Sequence, residues 1–354
     1  MKTLRISTRS YSYRDFAHLF YGSVRVSLTK NSLHNLKQSH KRLLAKLDTG
    51  ETIYGVNTGF GNLSNIKIDP KDQKDLQLNL VRSHASGVGN PLESGLIRTI
   101  FVLKLLTYVK GYSGIRPAVA EKIVQFLNHD ILPVIPEKGS VGASGDLAPL
   151  GHMALALIGE SKVFYNGKRM ATKMALSKAN IKPLVLQQKE GLSLINGTQV
   201  STALAIKSLL DGDLLLKTAD IAGALSVENS FASRKVFQKR IHALKVHPGQ
   251  QSAASNVYKL LNGSKIVKSH SNCGIVQDPY SFRCIPHIHG ASRDGFTRAA
   301  NMIDNEINSV SDNPIVLENG DIVSSGHFHG EHVAQAMDFL AISFCELGAV
   351  SERR

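Results

Sequence analysis

The sequence of 354 residues lacks the features of several large protein classes. It has no continuous run of about 18 apolar residues, so we expect no membrane span. Its first residues, MKTLRISTRSYSYRDF, lack the apolar segment of a secretory signal. The three cysteines, Cys273, Cys284 and Cys345, form no CxxC pair, which argues against a disulfide framework and a zinc knuckle. We therefore expect a cytoplasmic protein with reduced thiols.

Common cofactor and hydrolase motifs are also missing. No glycine-rich stretch has the GxGxxG or GxxxxGK[ST] form, and HExxH does not occur. Ser144 does not belong to a hydrolase nucleophile elbow, because residue 146 is Asp where that motif needs Gly. Several histidines show no metal-ligand spacing: His247, His287, His289, His327, His329 and His332. We expect neither a metal nor a nucleotide cofactor.

The chain is basic, with 42 Lys and Arg residues against 28 Asp and Glu residues and a formal net charge of +14. Such a balance is compatible with nucleic-acid binding. The basic residues are dispersed, however, and no basic strand interleaved with aromatic residues accompanies them. A solvated or anion-attracting surface is the better interpretation, and we expect no nucleic-acid partner.

Apolar periodicity predicts a mainly helical chain. The predicted helices cover residues 30–47, 91–109, 117–128, 147–158, 198–229, 288–309 and 332 to the end. Strand signals are few, and they cover residues 24–28, 162–170 and 315–323. The last two segments each carry an Asn-Gly pair, which is typical of a hairpin turn.

The stretch GSVGASGDLAPLGHM, residues 139–153, places three small residues before a predicted helix. A backbone nitrogen can attack the carbonyl carbon two residues back and close a five-membered ring when side chains are small. Gly145 supplies an unhindered nitrogen, Ala143 a small residue at the attacked carbonyl, and Ser144 an exocyclic methylidene after its hydroxyl leaves as water. The alternative is an ordinary tight turn with Asp146 as the N-cap of the following helix.

The surroundings of this tripeptide resemble the aromatic amino-acid ammonia-lyases, the family of histidine, phenylalanine and tyrosine ammonia-lyases. The prosthetic group of that family, 4-methylideneimidazol-5-one, is made from the same Ala-Ser-Gly. The resemblance runs in order from about residue 20 to the end, through YGVNTGFGNL (54–63), VRSHASGVG (81–89), GYSGIRP (111–117), EGLSLINGTQVSTA (190–203), HPGQ (247–250), QDPYSFRC (277–284), SDNP (311–314), FHGE (328–331) and ELGAVSERR (346–354).

The resemblance implies a mainly α fold of the ammonia-lyase/fumarase-like type. A smaller N-terminal α+β domain, residues 1–197, would carry the prosthetic-group loop, and residues 198–354 would form a central long-helix bundle. The last predicted helix lacks a trailing Gly or Pro. We therefore expect this bundle to be truncated relative to the family.

The resemblance also assigns roles to single residues. Tyr54 matches the base that removes the β-proton, and Arg283 matches the arginine whose planar fork binds the substrate carboxylate. Catalytic and substrate-binding polar groups around the ring match Asn196, Gln277 and Tyr280, and an aromatic substrate contact matches Phe328. Purely structural roles, such as a buried tyrosine, an ion pair or core packing, remain the alternatives.

Substrate choice depends on Ser83 and His84, which resemble the Ser-His dyad of histidine ammonia-lyases. The dyad at this place looks more like His-Leu in tyrosine ammonia-lyases and like Phe-Leu in phenylalanine ammonia-lyases. A histidine can hydrogen-bond an imidazole ring, which an apolar dyad cannot do. The implied function is non-oxidative deamination of L-histidine to urocanate and ammonia in a homotetramer whose sites draw on several subunits.

Two alternatives stay open. The first is a related tyrosine or phenylalanine lyase, or a 2,3-aminomutase with the same prosthetic group. The second, from another class, is a truncated and inactive relative that acts only as an assembly partner.

Overall fold

The computed structural model describes residues 3–354, and most of the regular structure is helical, as predicted. The helices are α1 (Lys30–Asp48), α2 (Gln73–His84), α3 (Ser94–Val109), α4 (Pro117–Asn128), α5 (Leu147–Leu157), α6 (Thr172–Lys178), α7 (Glu190–Ile195), α8 (Gln199–Asn229), α9 (Lys239–His242), α10 (Pro248–Leu260), α11 (Lys265–Ser269), α12 (Tyr280–Arg283), α13 (Ile285–Ile307) and α14 (Glu331–Arg353). The strands are short: β1 (Thr3–Ile6), β2 (Arg25–Leu28), β3 (Val88–Pro91), β4 (Leu132–Pro133), β5 (Pro136–Lys138), β6 (Lys162–Tyr165), β7 (Lys168–Ala171), β8 (Ile315–Val316) and β9 (Ile322–Val323).

The strands form small separate sheets. β1 and β2 pair in parallel, whereas β3–β5, β4–β6–β7 and β8–β9 pair antiparallel. The predicted hairpin at 162–170 is confirmed: Asn166 and Gly167 both have positive φ, +51° and +72°, as a two-residue type I′ turn requires. The second predicted hairpin is also present, with Ile315 opposite Val323.

Local signals locate most ends of the seven predicted helices well, whereas α2, α6, α7 and α9–α12 were not predicted. α4 begins at Pro117, as predicted, because proline at the first helical position has its φ already fixed. Two predicted starts are wrong by three residues, and one of them is that of α13, which begins at Ile285 and not at 288. α3 begins at Ser94 and not at 91, because Val88–Pro91 extends as β3 and pairs with β5, a partner more than 40 residues away that no local signal reveals.

The chain forms two compact units. The first unit contains the chain up to Ile206 together with Asp304–His332, and the second contains Lys207–Ile303 and Val333–Arg354. This division differs from the predicted boundary at 197/198. Within the first unit, Asn308 accepts a hydrogen bond from Tyr11 N at 2.9 Å, and its carbonyl accepts one from Lys110 Nζ at 2.6 Å. These distant contacts assign residues 304–332 to the N-terminal unit.

Each unit has its own apolar core. In the first unit every residue of α3 from Gly95 to Val109 is buried, so this helix runs through the interior. In the second unit the core is a cluster from α8, α10, α13 and the intervening loops: Ala224, Val227, Ala232, Phe237, Val257, Leu261 and Ile285.

Helix α14 bears on the expectation that the chain contains no membrane span. By length and composition it is apolar enough to cross a membrane, although only 28% of its most apolar window is buried. Asp338 and Glu346 interrupt the apolar run in the sequence, so counting continuous residues misses it. Core helices pass the same test, and composition alone therefore assigns no membrane to α14.

Candidate active site

Ala143, Ser144 and Gly145 form a tight turn directly before α5. Gly145 N donates to Gly142 O at 3.1 Å, and both glycines have positive φ, +80° and +82°. Ala143 and Ser144 are exposed, whereas Gly145 is buried. A Cβ on Gly145 would lie 2.6 Å from Gly197 O, so the position accepts only glycine. The turn thus combines an accessible serine with an unhindered, fixed backbone nitrogen.

Asp146 occupies the N-cap position of α5, but its side chain caps a different helix. The fully buried carboxylate accepts hydrogen bonds from the backbone nitrogens of Val200 and Ser201, both at 2.8 Å, at the start of α8. The hydroxyls of Ser140, at 2.6 Å, and Ser201 donate to it as well. Asp146 therefore holds the N-cap position that the alternative interpretation gave it, but its side chain does not cap α5. The buried N–H groups of α8 need an acceptor, and Asp146 supplies it.

The turn after α7 lies against the Ala143–Gly145 turn. Gly197 O accepts a hydrogen bond from Asp146 N at 2.8 Å, and Thr198 N donates to Ser311 Oγ at 3.0 Å. Asn196 Oδ1 is buried and has no hydrogen-bond partner among residues 3–354. Buried acceptors are ordinarily satisfied, so this oxygen is a candidate contact for a bound group.

A buried lysine supports this turn from α3. Lys104 Nζ donates to Asn196 O at 2.5 Å and to Gln199 Oε1 at 3.2 Å. Burial lowers the pKa of Lys104 to about 7. The negative charge of Asp312 acts in the opposite direction, because it favours the protonated form. Lys104 is one of two cations, with Arg98, in the apolar run LIRTIFVLKLLTYV, and a cation in such a run indicates a buried partner.

A second buried lysine anchors α7 itself. Lys189 Nζ lies 3.1 Å from Asp312 Oδ2, and both side chains are fully buried. Ser193 Oγ donates to the same carboxylate oxygen at 2.5 Å, and Tyr108 donates its hydroxyl to Ser193 O at 3.0 Å. Burial lowers the pKa of Lys189, while the Asp312 carboxylate opposes that shift. This network explains the SDNP segment, which sequence reasoning left without a role.

The loop of Tyr54 is fixed to α2 and α7. Gln77 on α2 donates Nε2 to Gly55 O at 2.9 Å and accepts a hydrogen bond from Leu192 N at 3.0 Å. A Cβ on Gly55 would lie 2.5 Å from Leu192 Cδ2, which shows how closely the loop approaches α7. Tyr54 is half-buried, and its ring meets Phe60 edge-on with centroids 6.1 Å apart.

Ser83 and His84 end α2. His84 Nδ1 lies 2.8 Å from Leu80 O, and because a carbonyl only accepts, this nitrogen donates. In the tautomer that carries its proton on Nδ1, Nε2 is an acceptor. Ser83 Oγ donates to the same carbonyl at 3.0 Å. The segment packs on α5, where a Cβ on Gly151 would lie 3.0 Å from Ala85 N.

The loop of half-buried Phe328 also reaches the Ala143–Gly145 turn, since Gly330 N donates to Gly142 O at 3.0 Å. The first unit therefore brings together the segments that carry most of the predicted site residues: Tyr54, Ser83, His84, Ala143, Ser144, Gly145, Asn196 and Phe328.

The remaining three predicted residues, Gln277, Tyr280 and Arg283, belong to the second unit. Arg283 Nε donates to Asp278 O at 2.9 Å, and its guanidinium lies 4.6 Å from the ring centroid of Tyr280. Among residues 3–354 the two terminal nitrogens of Arg283 have no hydrogen-bond partner. Gln277 and Arg283 line a groove of about 430 Å³, and Tyr280 is 71% exposed.

Potential metal ligands and thiols are dispersed. Over the part of the chain that the structure describes, no cluster of three or more His, Cys, Asp or Glu side chains could hold a metal ion. Cys273, Cys284 and Cys345 are free thiols.

Comparisons with known proteins identify the family and the fold. The model of the family described as aromatic amino acid lyase matches residues 11–354. A histidine ammonia-lyase of Myxococcus xanthus (strain DK1622) is 45% identical over 331 residues, which cover 93% of this chain and 65% of that relative. The structure of histidine ammonia-lyase from Trypanosoma cruzi superposes with a TM-score of 0.90 at 33% identity, over 100% of this chain and 67% of that one. A tyrosine aminomutase from Streptomyces globisporus gives a TM-score of 0.92 at 33% identity, over 99% of this chain and 70% of that one. The chain thus spans about two thirds of the length of these proteins.

Proposed function

The chain belongs to the aromatic amino acid lyase family, and on this premise we propose that it acts as a histidine ammonia-lyase, converting L-histidine to urocanate and ammonia. The observation that carries the proposal is His84, in the same unit as the Ala143–Gly145 turn. With Nδ1 committed to Leu80 O, its Nε2 is an acceptor for the N–H of a substrate imidazole. A phenyl ring offers no such donor, which favours histidine over phenylalanine.

The residues of the turn fit the prosthetic group 4-methylideneimidazol-5-one. Gly145 is held where no Cβ fits, Ala143 and Ser144 are accessible, and Asn196 offers a buried oxygen that lacks a partner. Ala143, Ser144 and Gly145 would supply the ring atoms, and Asn196 and Gly197 would border them. When formed, this group supplies an electron-poor exocyclic methylidene, which no ordinary side chain provides.

Other residues of the chain would bind and orient the substrate. Tyr54 is the proposed base for the β-proton, on a loop that Gln77 fixes to α2. Arg283 has both terminal nitrogens available for a bidentate contact with the substrate carboxylate. Gln277 and Tyr280 would complete the polar surroundings, and Phe328 would contact the substrate ring.

We further propose a cytoplasmic homotetramer in which each active site draws on several subunits. The second unit offers exposed groups for such an assembly, among them Tyr280 at 71% and Val276 at 99% exposure. Size-exclusion chromatography with light scattering would measure the oligomeric state, and a strictly monomeric, fully active protein would contradict the shared site.

The test of the function compares wild type with Ser144→Ala. We expect the wild-type chain to be lighter than its sequence mass by two waters, one from the Ala143 carbonyl oxygen on ring closure and one from the Ser144 hydroxyl, and to show a near-ultraviolet difference absorbance that Ser144→Ala lacks. Wild type should produce urocanate from L-histidine, and Ser144→Ala should not. Ser177→Ala, an exposed serine of α6, is the matched control and should behave as wild type.

The likeness to tyrosine aminomutase supports a second candidate, a 2,3-aminomutase or a lyase for another aromatic amino acid. Product analysis separates the candidates, because an aminomutase yields a β-amino acid and retains the nitrogen that a lyase releases as ammonia. A chain that keeps its full sequence mass would instead be an inactive relative that serves as an assembly partner.

A further inference from the structure

The burial of Lys104 is not explained by the catalytic and substrate-binding roles proposed above. Its side chain is fully buried in the middle of α3, where every residue from Gly95 to Val109 is buried. A cation in such surroundings is costly unless polar partners satisfy it. Burial lowers the pKa of Lys104 to about 7, because removal from water disfavours the protonated, charged form. The N–H groups of Lys104 therefore need hydrogen-bond acceptors inside the protein.

The partners of Lys104 are the first residue after α7 and the first residue of α8. Nζ donates to Asn196 O at 2.5 Å and to Gln199 Oε1 at 3.2 Å. The amide of Gln199 is oriented in turn, since its Nε2 donates to Thr107 Oγ1 at 3.1 Å and to Ser311 O at 3.3 Å. Lys104 therefore fixes both ends of the short segment that joins α7 to α8.

This segment is what the Ala143–Gly145 turn rests on. Asn196 O and Gly197 N belong to one planar peptide group, so a donor on the first atom sets the direction of the second. A Cβ on Gly145 would lie 3.0 Å from Gly197 N and 2.6 Å from Gly197 O. Gly197 O also accepts the hydrogen bond from Asp146 N at 2.8 Å. A tilt of the 196–197 peptide would move both Asn196 and the backbone under Gly145.

We propose that Lys104 is a positioning residue that holds the Asn196–Gly197 turn in register with Ala143–Ser144–Gly145. Within residues 3–354 its hydrogen bonds go to Asn196 O and Gln199 Oε1 and none goes to the tripeptide, so it acts through the peptide that it hydrogen-bonds. Its effect on turnover rests on the proposed function, but its effect on the geometry of the turn does not.

The geometric test uses a background in which no ring can form. Lys104→Met is introduced into Ser144→Ala, and amide hydrogen exchange is measured by mass spectrometry over peptides that contain Asp146 and Gly197. We expect exchange there to be at least about tenfold faster than in Ser144→Ala alone. Lys104→Gln, which has the same length as Met but keeps an N–H donor, should recover part of the protection.

Lys110 supplies the matched control, because it adjoins the same helix and also donates Nζ to a backbone carbonyl, that of Asn308 at 2.6 Å. Lys110→Met should leave exchange at Asp146 and Gly197 unchanged. Equal exchange in Lys104→Met and Lys110→Met would overturn the proposal, whatever the protein catalyses.

A second readout uses the otherwise wild-type chain. Lys104→Met should form less of the ring, measured by intact mass and near-ultraviolet absorbance, and kcat should fall at least about tenfold while KM stays within about twofold. Lys104→Gln should lie between Lys104→Met and wild type. If wild type itself forms no ring, the proposed function fails, and the exchange measurement still decides the role of Lys104.

Discussion

The contact between Gly145 and Gly197 leads to a prediction whose size the structure sets. Gly142 and Gly145 have nearly equal positive φ, +82° and +80°, but a Cβ on Gly142 meets nothing within 4 Å. Gly142→Ala should therefore incur only the cost of left-handed backbone, about 1–2 kcal/mol. Gly145→Ala has the same backbone cost and in addition pushes Cβ to 2.6 Å from Gly197 O. Relief of that overlap requires a backbone shift, for which a further 1–3 kcal/mol is the order of magnitude.

The assay is guanidinium unfolding followed by far-ultraviolet circular dichroism, with both substitutions in the Ser144→Ala background so that ring formation does not contribute. We expect Gly145→Ala to unfold at the lower denaturant concentration, with a similar slope. In the chain that keeps Ser144, Gly145→Ala should also abolish the ring absorbance. Equal midpoints for the two variants would refute the close packing of the turn on Gly197.

Further predictions concern single groups. Asp146→Ala should lower the free energy of unfolding by about 2–4 kcal/mol, because two backbone N–H groups at the start of α8 lose their buried acceptor; an unchanged denaturation midpoint would contradict this capping role. Tyr54→Phe should leave the ring absorbance intact and reduce kcat by about 10²-fold or more, which near-normal turnover would disprove. Arg283→Lys should raise KM by about tenfold, because lysine cannot form the fork; an unaltered KM would count against carboxylate binding. The pKa of Lys104 is about 7 when folded and 10.5 in its ordinary range, so its cation opposes folding below pH 7 and this penalty fades as the pH rises toward 10.5. We subtract the free energy of unfolding of wild type from that of Lys104→Met. This difference should be about 3 kcal/mol larger at pH 6 than at pH 9, measured by denaturation at both values.

Several features of the fold follow from short stretches of sequence. Pro117 starts α4, the Asn166–Gly167 pair closes the β6–β7 hairpin, and the Ala143–Gly145 turn leads directly into α5. Each depends on backbone preferences of adjacent residues, which the sequence displays directly. The motifs that resemble the family also located the segments that the first unit brings together, from Tyr54 to Phe328.

Other features depend on partners that are distant along the chain. Asp146 caps α8 through Val200, 54 residues away, and Lys104 supports the peptide of Asn196, 92 residues away. Neither pairing has a local signature, since a carboxylate before a helix predicts a cap for that helix and a lysine in an apolar run only indicates a hidden partner. The sequence alone indicated seven of the helices, the two hairpins and the Ala143–Ser144–Gly145 tripeptide, because adjacent residues set these. Only the tertiary structure decided which buried polar groups satisfy one another, because burial removes water as a partner and leaves the choice to whichever group the fold brings near.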